Sequence, residues 1–227
     1  MRKPPTGRGE AATDLGVALG VVLLSLVCTP AVTHIFRSQS GLAAVLLLAA
    51  FQFSAEGLVP LFLMALRGER FSDYGFNSRD IGKSITLSVL LVIAYDLALS
   101  VHAGKWLWVP FRRHNAVRIS VSTGFPLSIV GLTVVVGVWG FFEAFFGVFF
   151  ARKVNQLMQH DGNGWLAPGA LGFALFNGLL HAAIGQGLAG FLGSFASGYA
   201  IAVIPAVTKN AWGSSLFQTA TNAIGGL

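Results

Sequence analysis

From Leu15 onward the chain alternates between long apolar runs and short polar connections. A helix that crosses a membrane needs about 20 mostly apolar residues, because lipid offers no partner for backbone N–H and C=O groups and a helix satisfies them within one segment. Seven runs meet or approach that length: Leu15–Phe36, Leu42–Leu66, Ser84–Val101, Val130–Lys153, Gly169–Gly187, Ala189–Thr208 and Ala211–Leu227. The last is short. Only a residue or two separates the fifth from the sixth, which predicts a tight helical hairpin or one re-entrant element. The expected fold is all-α, a polytopic transmembrane helical bundle of about seven spans, with six to eight as the range that the spacing rule allows. Met1–Asp14 is polar and carries Pro and Gly, the composition of a disordered tail. Residues 15–227 then form a single multi-pass membrane domain. The first run exceeds the apolar stretch of a typical signal peptide and lacks a convincing cleavage pattern, so it is expected to stay as a span.

Composition agrees with that pattern. Of 227 residues, 54% are hydrophobic and 11% charged, with a mean hydropathy of +0.70, against roughly 25% charged in an average soluble domain. So little charge cannot cover a water-facing surface. The single cysteine, Cys28, lies inside an apolar run, which excludes an internal disulfide and a CxxC motif. Lys and Arg outnumber Asp and Glu by 15 to 9, yet they sit in short segments between apolar runs. That distribution fits membrane topology and anionic lipid rather than nucleic acid. Seven spans put Arg2, Lys3, Arg8, Arg67, Arg70, Arg79, Lys83, Arg152, Lys153 and Lys209 on the N-terminal side, and Arg37, Lys105, Arg112, Arg113 and Arg118 on the other. The excess predicts a cytoplasmic N-terminus in a cell membrane. Trp106, Trp108 and Trp165 fall at expected span ends, where amphipathic rings prefer the headgroup layer.

Polar side chains inside the runs carry the information about chemistry, because each is costly in lipid. Gln52 and Glu56 share a helix face four residues apart, as do Asn177 with His181 and Gln218 with Asn222. Glu143 stands in GFFEAFFGVFF, and Asp96 follows Tyr95. If the fourth, fifth and seventh runs are centred near Glu143, His181 and Gln218, those groups lie within about two helical turns of the midplane. One carboxylate, one imidazole and two carboxamides then share a cavity. Gly140 and Gly147 flank Glu143 and let a second helix approach; Gly190, Ser194 and Gly198 form a small-residue face on the sixth run. Phe141, Phe142, Phe145, Phe146, Phe149 and Phe150 either dehydrate Glu143 or simply face lipid. Interhelical hydrogen bonding accounts equally for Gln52, Asn177, Gln218 and Asn222. Glu56 and Asp96 read as structural or snorkelling groups. His34, His102, His114 and His160 fall at boundaries or in loops and read as solvated.

Taken in order, ERFSDYGFNSRDIGKSI, GFFEAFFGV, FNGLLH and TKNAWGSSLFQTATNA resemble the CAAX-processing and bacteriocin-related intramembrane glutamic protease family, known as CPBP or ABI, over roughly residues 70–227. That pattern has a glutamate pair followed by arginine, then phenylalanine ahead of histidine, then HxxxN or HxxxD. Here Glu143 stands alone between Phe142 and Ala144, and the arginine position falls on Gly147 or Val148. Phe176 precedes His181 by five residues rather than four. Gln218 occupies the place of the last histidine, while Asn222 matches. The resemblance implies an endopeptidase acting on membrane-associated or prenylated peptides. Glu143 would be the general base for water, His181 the residue that orients water or donates a proton, and Asn222 with Gln218 the oxyanion donors. No metal or organic cofactor is implied. Gln218 cannot carry a proton near pH 7, so slowed, altered and absent catalysis all stay open.

Other classes fit less well. There is no HExxH for zinc, Tyr95–Asp96 supplies half of an aspartyl intramembrane site, and no histidine follows Ser197 for a serine mechanism. Two alternatives to catalysis stand: a proton-coupled carrier with Glu56, Asp96, Glu143 and His181 in a relay, and an inactive scaffold that binds a partner's transmembrane segment. The expected partners are the bilayer and a peptide or transmembrane segment, with no nucleic acid.

Overall fold

The computed structural model describes residues 7–37, 41–106, 118, 119 and 122–224. Trp108, Arg112, Arg113, His114, Arg2, Lys3 and the last three residues of the seventh run lie outside the described residues, as do the side chains of His34 and Arg37.

Among the described residues there is no strand, and helices follow the apolar runs. They are α1 (Arg8–Arg37), α2 (Leu42–Arg67), α3 (Ile81–His102), α4 (Leu127–Leu157), α5 (Pro168–His181), α6 (Gly187–Thr208) and α7 (Trp212–Ile224). Five stretches are long and apolar enough to cross a membrane: Arg8–Cys28, Leu42–Arg67, Ile81–His102, Leu127–Leu157 and Pro168–Thr208. The last of these holds the fifth and sixth runs as two helices, α5 and α6, joined through a wide turn at Ala182–Gln186 and packed side by side, with Gly178 against Phe191 and Gly198 against Asn177. Gly185 (φ 91°) and Gly187 (φ 62°) break the helix there, in the left-handed region that glycine enters without steric cost. The seventh run gives 13 described helical residues, short of the roughly 20 that a crossing needs.

The largest departure from the sequence reading is at the start. Helix α1 begins at Arg8, inside the stretch expected to be a disordered tail. Tertiary ion pairs explain the difference, because Arg67 at the end of α2 reaches Glu10 at 3.1 Å and Asp14 at 2.9 Å. Lys153 of α4 binds Asp14 at 3.0 Å and Glu69 at 2.9 Å, and the Tyr74 hydroxyl donates to Glu69. Asp14 and Lys153 are both fully buried. This layer ties α1, α2 and α4 together at one end of the bundle, here called the basic face.

The same end carries the loop contacts. Asn210, fully buried before α7, donates to the carbonyls of Asn77 (2.8 Å) and Arg79 (2.7 Å) and accepts from the Trp212 N–H. Ser84 of α3 donates to the Asn210 carbonyl and accepts from the Gly213 N–H, and the Ala211 N–H bonds the Gly75 carbonyl. The YGFNSRDIGKS and TKNAWGSS segments thus form one hydrogen-bonded junction, which starts α3 and α7 side by side.

Lipid gives helices no hydrophobic reason to associate, so packing here rests on small residues and aromatic contacts. A Cβ on Gly147 would meet Phe173 at 2.5 Å, and one on Gly169 would meet the Ala151 carbonyl at 2.0 Å; α4 and α5 therefore lie in antiparallel contact. The phenylalanine run of α4 faces this interior: Phe145 and Phe149 are completely buried, Phe146 and Phe150 nearly so. Phe146 and Phe150 pack on Phe173 and Phe176 of α5, while Phe145 and Phe149 meet Tyr74. Of the two readings the run allowed, burial is the one realised.

Candidate functional site

Three helices deliver polar side chains to one depth. Glu143 lies ten residues from Lys153 along α4, Glu56 eleven from Arg67 along α2, and Asn222 ten from Trp212 along α7. At 1.5 Å per residue each is about 15 Å from the basic face, half the thickness of a hydrocarbon core of about 30 Å. Each helix contributes a pair four residues apart, and so on one face: Gln52 and Glu56, Trp139 and Glu143, Gln218 and Asn222.

The pairs are joined by hydrogen bonds. Gln218 Nε2 donates to Glu143 Oε2. Asn222 Nδ2 donates to the same oxygen at 3.0 Å and to the Trp139 carbonyl at 2.7 Å. Trp139 Nε1–H donates to Gln52 Oε1 at 2.6 Å. Glu56 lies within electrostatic reach of Glu143, and the flanking residues hold the helices together there: Phe53 and Phe142 rings meet edge to face at 4.6 Å, and a Cβ on Gly57 would lie 3.2 Å from Phe142. Gly140 lets α7 come close, since a Cβ there would sit 1.9 Å from Thr219 Oγ1. The close approach expected beside Glu143 is therefore real, with α7 as the neighbour at Gly140 and α5 and α6 at Gly147.

Both carboxylates follow or sit in wide π-type turns. Phe53–Leu58 carries Glu56, and Val134–Phe142 ends one residue before Glu143. Such turns rotate side chains off the regular 3.6-residue face and recur at functional sites.

Donor counting fixes what the cluster can do. Asn222 spends both amide hydrogens, on Trp139 and on Glu143. Gln218 spends one of two. Glu143 Oε2 takes both incoming bonds, and Oε1 takes none among the described residues; the residue is partly exposed. The site thus combines an oriented carboxylate with one free oxygen, a free carboxamide N–H and a second carboxylate across from it.

Two expected members stand apart. His181 is about one helical turn farther from the basic face than Glu143, given the pairing of Gly147 with Phe173. Its Nδ1 meets Gln186 Oε1 at 2.9 Å across the α5–α6 turn, its one polar partner among the described residues. Asn177 lies level with Glu143 but donates to the Ser194 carbonyl at 2.8 Å, with Gly198 against its Cβ; it fastens α5 to α6. Asp96 is 5% exposed on the α3 stripe of Ser84, Ser88, Val92 and Ser100, so it does not snorkel to the surface. Gln52 and Trp139 are the members that sequence reasoning assigned no chemistry, although the four-residue spacing of Gln52 with Glu56 was a usable signal.

No family model, no curated protein and no solved structure matches this chain. Among the described residues no group of three His, Cys, Asp or Glu side chains has the geometry to hold a metal ion.

Proposed function

We propose that this is a multi-pass membrane protein of six to eight spans, with its N-terminus and basic face in the cytoplasm, that hydrolyses peptide bonds of membrane-associated substrates with Glu143 as general base, in the manner of the CPBP proteases it resembles. The observation that carries the reading is the convergence of Glu143 with Gln218 and Asn222, positions 75 and 79 residues apart that correspond to the first and last motifs of the resemblance. The two carboxamides hold Oε2, which directs Oε1 at an attacking water. Glu143 takes a proton from that water as it adds to the scissile carbonyl, and returns it to the departing amine. The unspent N–H of Gln218 is the donor available to the developing oxyanion. Asn222, with both hydrogens committed, is a positioning residue rather than an oxyanion donor.

A second reading, an inactive scaffold that holds a partner's transmembrane segment, is favoured by one observation: His181 binds Gln186, and among the described residues the cluster contains no imidazole. Proteolysis of membrane-anchored and prenylated peptides by the protein in lipid nanodiscs separates the two. The hydrolase reading expects cleavage that Glu143→Gln abolishes and that Gln218→Ala slows by about 10²–10³. Equal silence of wild type and both variants, with capture of the peptides retained, would replace it with the scaffold.

A further inference from the structure

A second polar site lies at the basic face, separate from the midplane cluster. A pocket of about 430 Å³ opens between α4, the end of α6 and the α4–α5 connection, with a floor of Val148, Ala151 and Ala202. Its polar wall includes Arg152, Gln156, His160 and Lys209. Donors are in excess there. Arg152 stacks over the Tyr74 ring at 5.0 Å and donates through Nη1 to the Asp73 carbonyl, yet its Nε is buried without a partner. Lys209 Nζ reaches Asn163 Oδ1 and the Ala206 carbonyl. Neither cation has a carboxylate within ion-pair distance among the described residues. The Gly162 N–H donates to His160 Nδ1 at 2.9 Å, with Asp161 Oδ1 3.3 Å from the same nitrogen, and Nε2 is then the hydrogen-bearing nitrogen of the neutral ring.

Two acids, Asp73 and Asp161, also line the pocket, and both are already engaged. Asp73 Oδ2 accepts from the Arg70 N–H. Asp161 accepts from the backbone and side chain of Asn163; those bonds, the backbone one first, together with His160 and Lys209, hold its carboxyl below the ordinary range. A guanidinium, an ammonium and an imidazole N–H around one opening suit a tetrahedral oxyanion, which takes several charge-assisted bonds at once. The level of the pocket, beside the Lys153 ion pairs at the membrane end of α4, is that of lipid phosphates.

We propose that this pocket binds a phosphate group, held by Arg152, Lys209 and His160, whether borne by an anionic lipid headgroup or by a soluble phosphate compound. The test uses the full-length protein in phosphatidylcholine nanodiscs. One arm adds inorganic phosphate and follows thermal unfolding; the other includes phosphatidic acid and counts retained lipid by native mass spectrometry. Stabilisation by inorganic phosphate in phosphatidylcholine alone would point to a soluble ligand, and retention of phosphatidic acid without that response to a lipid. In either arm Arg152→Gln with Lys209→Gln should weaken binding about tenfold or more. His160→Ala, in a loop where folding is not at stake, should weaken it several-fold. Arg79→Gln with Lys83→Gln, basic residues outside the pocket, should change neither arm. Absence of binding in both arms, or equal losses in the Arg79/Lys83 control, would overturn the proposal.

Discussion

Two buried polar layers about 15 Å apart divide the work of this protein differently. At the basic face Lys153 sits between Asp14 and Glu69, Arg67 covers Asp14, and Tyr74 covers Glu69. Every charge in that ion-paired group faces its opposite. In the middle of the bundle Glu143 meets two carboxamides and lies within electrostatic reach of a second carboxylate, Glu56, with no cation in the cluster among the described residues. Opposite charges buried together fix helices in place. Acids held by neutral donors keep a proton-accepting oxygen available. On the proposed reading the first layer holds the structure and the second carries the chemistry, and the two should respond to substitution in opposite ways.

The sharpest break is Lys153→Met. It leaves Glu69 and Asp14 buried beside each other without the ammonium that bridges them, and it should cost about 3–5 kcal/mol, the usual penalty for removing one member of a buried pair. Urea or guanidinium unfolding in detergent checks this, and a loss below about 1 kcal/mol would mean that water reaches the layer. Next in size is Gly140→Ala, which drives a methyl group into Thr219 Oγ1. Pushing α7 off α4 should cost about 1–3 kcal/mol and lower any Glu143-dependent activity along with it; an unchanged melting profile would show that α7 can shift freely.

Tyr74→Phe tests the charged layer more gently. Loss of the bond to Glu69 should cost about 1 kcal/mol at neutral pH. In the wild type, burial first and the Glu69 bond second raise the Tyr74 phenol above its ordinary value. A raised folded value means that the phenol's contribution is intact below the unfolded value of about 10 and falls away as pH climbs beyond it. The wild type should therefore lose stability above that pH more steeply than the Phe variant, by unfolding measured at stepped alkaline pH. The smallest effect on stability belongs to Glu143→Gln. The replacement keeps an acceptor for Gln218 and Asn222 and removes a charge opposite Glu56, so unfolding should shift by less than about 1 kcal/mol. A penalty as large as that of Lys153→Met would erase the distinction between the layers.

Much of this was legible before any coordinates. Lipid leaves a long apolar run no alternative to a helix, so the positions of α1 to α7 could be read from hydropathy. The polar groups that lipid would reject, Glu143, Gln218 and Asn222, could be picked out on the same ground. Close packing at Gly140 and Gly147 followed from residue size. Three matters were settled only by tertiary contacts. Asp14 became part of a helix because Arg67 and Lys153, 53 and 139 residues away, supply its counter-charges; local composition holds no trace of them. Glu56 lies in a wide turn within electrostatic reach of Glu143, and His181 pairs with Gln186 across a glycine-made bend. Sequence dictates which segments must be helical and which side chains need partners, since those are properties of a residue and its solvent. Which partner each one finds depends on the rotation and depth of helices far apart in the chain, and only the assembled bundle decides it.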